Sequence, residues 1–317
     1  MVDTELLRVE RAEPGDAAIR RAAQLLREGK LVAFPTETVY GLGARVSDEE
    51  AVRGIFVAKG RPARVPLIVH VRDVDQAQAF VEKMPEAALR WAEAHWPGPL
   101  TLVLSRTSRV PDAVTAGGST VGVRVPAHPV AWALIEALGD AIAAPSANLY
   151  DRLPPVRAEH VMAGLRGRIH AVLDGGKCPG GLESTVVDAR VSPAVVLRRG
   201  AVAVERLGDV REAVAVPKMS EEGWIRVGDM GVFDDWREAL AGAKVGRLAR
   251  GVSDDVQGVV VREMSETPKA YGEEMYDALH VLWDDGCARV WVDAPPKGPS
   301  WDSVWDRLAR LTSIPRP

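Results

Sequence analysis

Residues 31–71 read LVAFPTETVYGLGARVSDEEAVRGIFVAKGRPARVPLIVHV. Leu31–Phe34 is a short apolar run of β-propensity, and Pro35-Thr36-Glu37-Thr38 ends it. That break sets two hydroxyls and a carboxylate just past the strand end. Ser47 and Glu50 have capping-box spacing, which predicts a helix start there. Val52, Ile55 and Phe56 fall on its apolar face, and Gly60 is placed to end it. Lys59 and Arg61 flank that glycine. Leu67–Val71 reads as a second buried strand and carries His70. Polar groups at strand ends, with two cations at a helix end, are how an open α/β sheet presents an edge to anionic ligands.

Outward from this stretch, strands and helices keep alternating. An amphipathic helix over Asp16–Arg27 turns Ile19, Ala22, Leu25 and Leu26 inward and stops at Gly29. Val74–Glu82 and Pro85–His95 read as helices, WPGP at 96–99 breaks the pattern, and Leu100–Leu104 resumes as a strand. Thr115–Gly118 reads as a turn. Thr120–Val125 alternates and sends Thr120, Gly122 and Arg124 to one face. Pro129–Leu138 is a predicted helix, Ala141–Ala144 a buried strand and Arg157–Leu165 a helix. Ala171–Leu173, Thr185–Val187 and Ala194–Leu197 are further strands. The pattern predicts an α/β domain over 1–206 with a mixed sheet. Periodicity fades over 207–235, read as an interdomain linker. It returns over 236–317 with strands at 244–249, 258–262 and 288–292 and helices at 270–284 and 301–311, a smaller second α/β domain.

The chain has 317 residues, enough for two cores, and its 47% hydrophobic and 26% charged residues are those of a globular protein. A net charge of −4 argues against coating of nucleic acid and leaves room for a local basic cleft. Cys178 and Cys287 form neither a metal spacing nor a disulfide framework. The opening MVDTELLRVERAEPGD lacks the apolar core of a signal peptide, and no stretch approaches the roughly 20 apolar residues of a membrane span. A cytoplasmic location is expected, with no membrane partner.

Each chemistry-bearing group has a plain structural reading beside the functional one. Lys59 and Arg61 suit the negative end of a helix, and equally a phosphate or carboxylate. Thr36, Glu37 and Thr38 suit a turn. His70, with no His or Cys at ligand spacing, suits a core position better than a metal. Arg124, between Val123 and Val125 on a strand, must face water or meet an acid. Ser146 and Asn148 are capping groups or neutral donors at a strand end. Glu183-Ser184-Thr185 and Arg198-Arg199-Gly200 repeat the theme. Cations and hydroxyls without a general-base histidine, a partnered cysteine or a metal cluster suit phosphoryl or adenylyl chemistry, where positioning and charge neutralisation dominate. Neither GxxxxGK[ST] nor GxGxxG is present, so any nucleotide site is built another way.

Taken in order, PTETVYGLG, KGRP, PLIVHV, WPGPLTLVL, TVGVRVPAHPVA, IAAPSAN, DGG and GLESTVVD resemble the YrdC-like L-threonylcarbamoyladenylate synthases over nearly the whole first domain. EMYDALHVLWDDGCARVWVDAPP with SVWDRLARL is similar to the second domain of the family's longer members. The resemblance implies a twisted mixed sheet with helices around an open cationic cavity. It implies that L-threonine, bicarbonate and ATP give threonylcarbamoyl-AMP and pyrophosphate for tRNA modification. A downstream transferase then completes the modification, so tRNA contact here is weak or indirect. Thr38, His70, Thr120, Arg124, Ala144 and Ser184 match threonine-binding positions. Lys59, Arg61, Ser146, Asn148 and Arg198 match ATP-binding positions, with Lys59 and Arg61 the catalytic pair. Mg²⁺ is expected to arrive with the ATP phosphates, without a protein site of its own.

This chain departs from the family pattern at Val65, Tyr150, Asp151 and Pro154, and its linker VPKMSEEGWIRVGDMG lacks the His-Tyr-Ala-Pro signature. These positions bear on the nucleotide half of the site. They motivate a second reading, a paralogue that binds nucleotide, a threonylcarbamoyl compound or RNA without synthase activity. Carbamoyl transfer to another acceptor is a third reading, but the zinc-finger and acylphosphatase segments that accompany it are absent from this sequence.

Overall fold

The structure, a computed structural model, describes residues 2–213, 219, 223–228, 233, 236, 243–250 and 258–314. They divide into two compact units, residues 1–150 with 154–214, and residues 151–153 with 215–317.

The first unit is built on an eleven-stranded mixed sheet. Its strands are β1 (Glu5–Arg8), β2 (Val32–Phe34), β3 (Gly41–Arg45), β4 (Ile68–His70), β5 (Leu100–Ser105), β6 (Thr120–Arg124), β7 (Ile142–Ala144), β8 (Ala171–Asp174), β9 (Thr185–Asp188), β10 (Ala194–Arg198) and β11 (Val210–Glu212). They lie in the order β1-β8-β2-β3-β7-β4-β6-β5-β9-β10-β11. The helices are α1 (Ala17–Arg27), α2 (Glu49–Lys59), α3 (Val74–Gln78), α4 (Glu86–His95), α5 (Asp112–Thr115), α6 (Pro129–Leu138) and α7 (Ala158–Leu165).

The opening stretch folds as strand, turn, helix and strand, with two differences. The cap of α2 is Asp48, whose side chain accepts from Ala51 N–H, and Ser47 instead donates to Asp140. Asp48 stands immediately before the helix, where its carboxylate reaches the N–H of the third helical residue and meets the positive end of the helix dipole. Gly60 does end the helix, in the left-handed conformation at φ 63°. The second difference is β3, where the GLGAR sequence gives no alternating pattern. A Cβ on Gly43 would sit 2.7 Å from Ile142 Cγ2 and 2.9 Å from Phe34 Cε1, so close cross-strand packing requires the glycine that hides the strand.

Helices α1 and α6 close one face of this sheet. Ile19, Leu25 and Leu26 of α1 meet Val130, Leu134 and Leu138 of α6 over Val32, Phe34, Ile142 and Leu173. Each fully buried side chain of this size contributes about 1.5–3 kcal/mol. Asp16 caps α1 by accepting from Ala18 and Ile19. Residues 115–118, expected as a plain turn, are the end of the short α5, with Ala116 at φ 54°.

The range 207–235, expected as an interdomain linker, carries short strands among its described residues. Val210–Glu212 forms β11, parallel to β10, and Ile225–Gly228 forms a strand of the second unit. Three- and four-residue strands are too short to show periodicity amid glycines and charges. Residues 214–218, 220–222, 229–232 and 234–235 of that range lie outside the described residues, as do 237–242, 251–257 and 315–317 of the second domain.

The second unit has a four-stranded, all-parallel sheet: β12 (Ile225–Gly228), β13 (Val245–Arg250), β14 (Val259–Met264) and β15 (Arg289–Asp293), ordered β12-β15-β13-β14. Helix α8 (Pro268–Asp284) crosses from β14 to β15, and α9 (Asp302–Leu311) follows. Its core is aromatic: Trp291 lies 5.8 Å from Phe233 and 5.2 Å from Trp236, ring to ring. Arg247 and Asp293, both buried, make a two-point ion pair at 3.1 and 2.7 Å. No helix among the described residues is long and apolar enough to cross a membrane.

Candidate active site

The middle of the large sheet brings the polar motifs together. β4 lies between β7 and β6 and sets His70 opposite Ile142 on one side and Arg124 on the other. The segment joining β2 to β3 supplies Thr36–Tyr40. β5 pairs parallel with β9, so that Ser184, just before Thr185, lies beside Thr101. Arg198 ends β10.

These groups wall a cavity of about 150 Å³. Thr38, Arg61, His70, Arg124, Ala144, Ser146, Ser184 and Arg198 all line it, together with Thr36, Tyr40 and Glu183. Its size suits one small ligand, below the roughly 300–1,000 Å³ of drug-sized sites. A larger cavity of about 770 Å³ opens beside α2, between Asp48, Arg53, Val57 and His170. None of the converging groups reaches it, so convergence of chemistry locates the site, and volume does not.

Arg124 is 4% exposed, and three contacts fix it. Nε donates to Gly98 O at 3.3 Å, Nη2 donates to Thr38 Oγ1 at 3.1 Å, and Nη2 lies 2.6 Å from Glu37 Oε1. Neither Glu37 oxygen has a hydrogen-bond partner among the described residues, so this last contact is an ion pair set off the N–H direction. Thr38 is held in turn by Thr36, whose hydroxyl accepts from the backbone of Thr38 and Val39. Thr36 therefore builds the turn, and Thr38 faces the cavity.

His70 is buried, and its Nδ1 has no partner among the described residues. Burial, and then the Arg124 charge, push its pKa down to about 3, so the imidazole is neutral and can accept a hydrogen bond. Ser184 Oγ lies 2.8 Å from Thr101 Oγ1, and Arg198 Nη2 donates to Ser184 O at 2.8 Å and to Oγ at 2.9 Å. Ser184 is thus oriented by a buried threonine and by a second guanidinium. Arg61 donates through Nη2 to Pro66 O at 3.1 Å and through Nε to Val65 O at 3.4 Å, and its guanidinium lies 5.9 Å from the Tyr150 ring.

Three of the predicted residues stand apart from the cavity wall. Lys59 is 2% exposed and donates to the carbonyls of Ser146 (2.5 Å) and Asn148. Burial, followed by the nearby Arg61 charge, pushes its pKa down to about 7. Asn148 is fixed by this contact and donates to Leu149 O at 2.8 Å. Thr120 begins β6, about 13 Å of strand from Arg124. Sequence reasoning left Thr101 and Gly98 unassigned and gave Glu37 only a place in a turn. Thr101 sits in an ordinary apolar strand pattern, and a backbone carbonyl such as Gly98 O leaves no signature at all. The Cys178 thiol is buried and pushed up to about 12, chiefly by desolvation, so it is no nucleophile. Among the described residues no group of three or more His, Cys, Asp or Glu could hold a metal.

The fold and cavity define an α/β protein that gathers hydroxyls, a neutral imidazole and three guanidiniums around one small-ligand pocket. The chain belongs to the Sua5/YciO/YrdC family, whose model, described as "Telomere recombination", matches residues 24–200. The threonylcarbamoyl-AMP synthase of Pyrococcus abyssi is 49% identical over 202 residues, covering 62% of this chain and 59% of that protein. The one of Bacillus subtilis is 46% identical over 204 residues, covering 64% and 59%. These matches span about three-fifths of the length of the curated relatives. Among solved structures, P. abyssi Sua5 complexed with L-threonine superposes with a TM-score of 0.88 at 36% identity, covering 98% of each chain. Escherichia coli YciO superposes with a TM-score of 0.59 at 25% identity, covering 65% of this chain and all of that one.

Proposed function

We propose that this chain is an L-threonylcarbamoyladenylate synthase that makes threonylcarbamoyl-AMP and pyrophosphate from L-threonine, bicarbonate and ATP. The observation that carries the reading is the buried Arg124 in the wall of a cavity shared with Thr38, His70, Ala144 and Ser184. A fixed guanidinium takes an α-carboxylate, and hydroxyls with a neutral imidazole take the polar remainder of a small amino acid.

The amine of threonine attacks bicarbonate carbon, forming a C–N bond with loss of water. An oxygen of the resulting N-carboxylate then attacks the α-phosphorus of ATP, and the bond to pyrophosphate breaks. The protein's part is positioning and charge neutralisation. Arg61 and Arg198 are the guanidiniums for the phosphates, with Ser146 a neutral donor beside them. Lys59 and Asn148 act on the nucleotide side by shaping the Ser146–Asn148 segment. Mg²⁺ would enter with the triphosphate and would supply charge neutralisation there, as is usual for Mg²⁺ at nucleotide sites. At the departing position Val65 the main-chain carbonyl accepts from Arg61 Nε at 3.4 Å and so helps to hold that guanidinium. The product goes to a downstream transferase for tRNA modification in the cytoplasm, with tRNA contact weak or indirect.

Isothermal titration with L-threonine tests the pocket. Binding by the full chain, lost or reduced at least tenfold in Ser184→Ala, is the expected result. Undetectable threonine binding by folded protein contradicts the reading.

A further inference from the structure

Behind the wall of the cavity lies an acid, Glu37, that the proposed reaction does not use. Arg124 carries a charge that it cannot shed, in a place that water barely reaches. A cation so buried requires a counter-charge. Glu37 supplies it at 2.6 Å, but from outside the cavity: Arg124 lines the space and Glu37 does not. Both Glu37 oxygens are closed off from solvent without a hydrogen-bond partner among the described residues. A carboxylate held this way is desolvated for the sake of its charge alone. It pulls on Nη2 of Arg124, the nitrogen that also donates to Thr38, while Nε is spent on Gly98 O.

Resting on the reading of this cavity as an amino-acid site, we infer that Glu37 is a positioning residue that acts through Arg124 to make the pocket select a zwitterion over a plain carboxylate. Three guanidiniums, of Arg61, Arg124 and Arg198, face the cavity against Glu183 in the wall and Glu37 behind it. The surplus is one positive charge. Without Glu37 the surplus doubles, and the pocket gains attraction for any anion. With Glu37 in place, a ligand carboxylate shares Arg124 with a second carboxylate, and an α-ammonium on the ligand offsets that repulsion. A carboxylate lacking the ammonium has no such offset.

The test is calorimetric titration of the full chain with L-threonine and with (R)-3-hydroxybutanoate, which keeps the carboxylate and the hydroxyl but lacks the amine. Wild type is expected to prefer threonine at least tenfold. Glu37→Gln, folded by circular dichroism, is expected to narrow that preference at least tenfold, mainly by binding hydroxybutanoate more tightly. Glu37→Asp, which keeps the charge, is expected to restore the preference. An unchanged preference in Glu37→Gln overturns the inference and leaves the amino-acid reading standing. Equal binding of both ligands by wild type overturns it too, whether or not the variant folds. No threonine binding by wild type removes the amino-acid reading and this inference together.

Discussion

Arg124 shows what a single side chain contributes. Its fork is pre-set by Gly98, Thr38 and Glu37, so little freedom remains to be lost when a carboxylate arrives. Arg124→Lys keeps the charge and loses the fork. Threonine affinity should fall about 10–100-fold by calorimetry, the range expected for losing a charge-assisted hydrogen bond of about 1.5–3 kcal/mol. Unchanged affinity would mean that the carboxylate binds elsewhere. His70 carries a pH signature. Its native pKa of about 3 lies far below the ordinary histidine value, so between about pH 6.5 and 3 the unfolded chain holds a proton that the native chain does not. Stability therefore drops as pH falls through that window, by up to about 1.4 kcal/mol per pH unit from this group. Urea unfolding from pH 6.5 to 4.5 should show a shallower loss in His70→Asn than in wild type; parallel profiles would remove His70 as the cause. Thr38, Ser146, Ser184 and Arg198 were legible one at a time as polar groups at strand ends, and Arg124 as a cation on an apolar strand, whereas His70 read from its own position as a core residue. That Lys59 would turn its ammonium to two backbone carbonyls was not, because a carbonyl's direction is set by loop geometry and not by residue type.

Elements with repeating patterns were legible, and those without were not. Helix α6 is found over the predicted residues because Pro129 starts it and Gly139 ends it. Strand β3 escaped because cross-strand neighbours leave room only for glycine, and β11 because three residues carry no period. The same steric logic governs the loop over the site. A Cβ on Gly180 would lie 2.2 Å from Glu37 O, a backbone atom that cannot swing aside. Gly180→Ala should therefore displace the 36–38 turn and weaken threonine binding at least several-fold, while lowering Tm by only a few degrees. A variant with wild-type affinity would show that the turn is not held from that side. Asp48→Ala tests the cap of α2 and should cost about 1 kcal/mol in unfolding by urea.

At the scale of the whole molecule, the alternation of strands and helices gave two α/β units, while the boundary between them rested on short strands that no periodicity marks. The second unit buries the Arg247–Asp293 pair in its interior. Asp293→Asn removes the carboxylate charge from this buried pair and should destabilise that unit by about 3–5 kcal/mol. Tryptophan fluorescence reports it, since Trp224, Trp236, Trp283, Trp291, Trp301 and Trp305 all belong to that unit. The first unit's cavity joins six separate stretches of chain into one site, and its central claim is chemical. The most direct measurement is pyrophosphate release from ATP by the purified full chain, with L-threonine and bicarbonate each omitted in turn. The account predicts release only when all three substrates are present, and its loss in Arg124→Lys under subsaturating threonine. Release that ignores threonine, or none from well-folded protein that binds threonine, would contradict it.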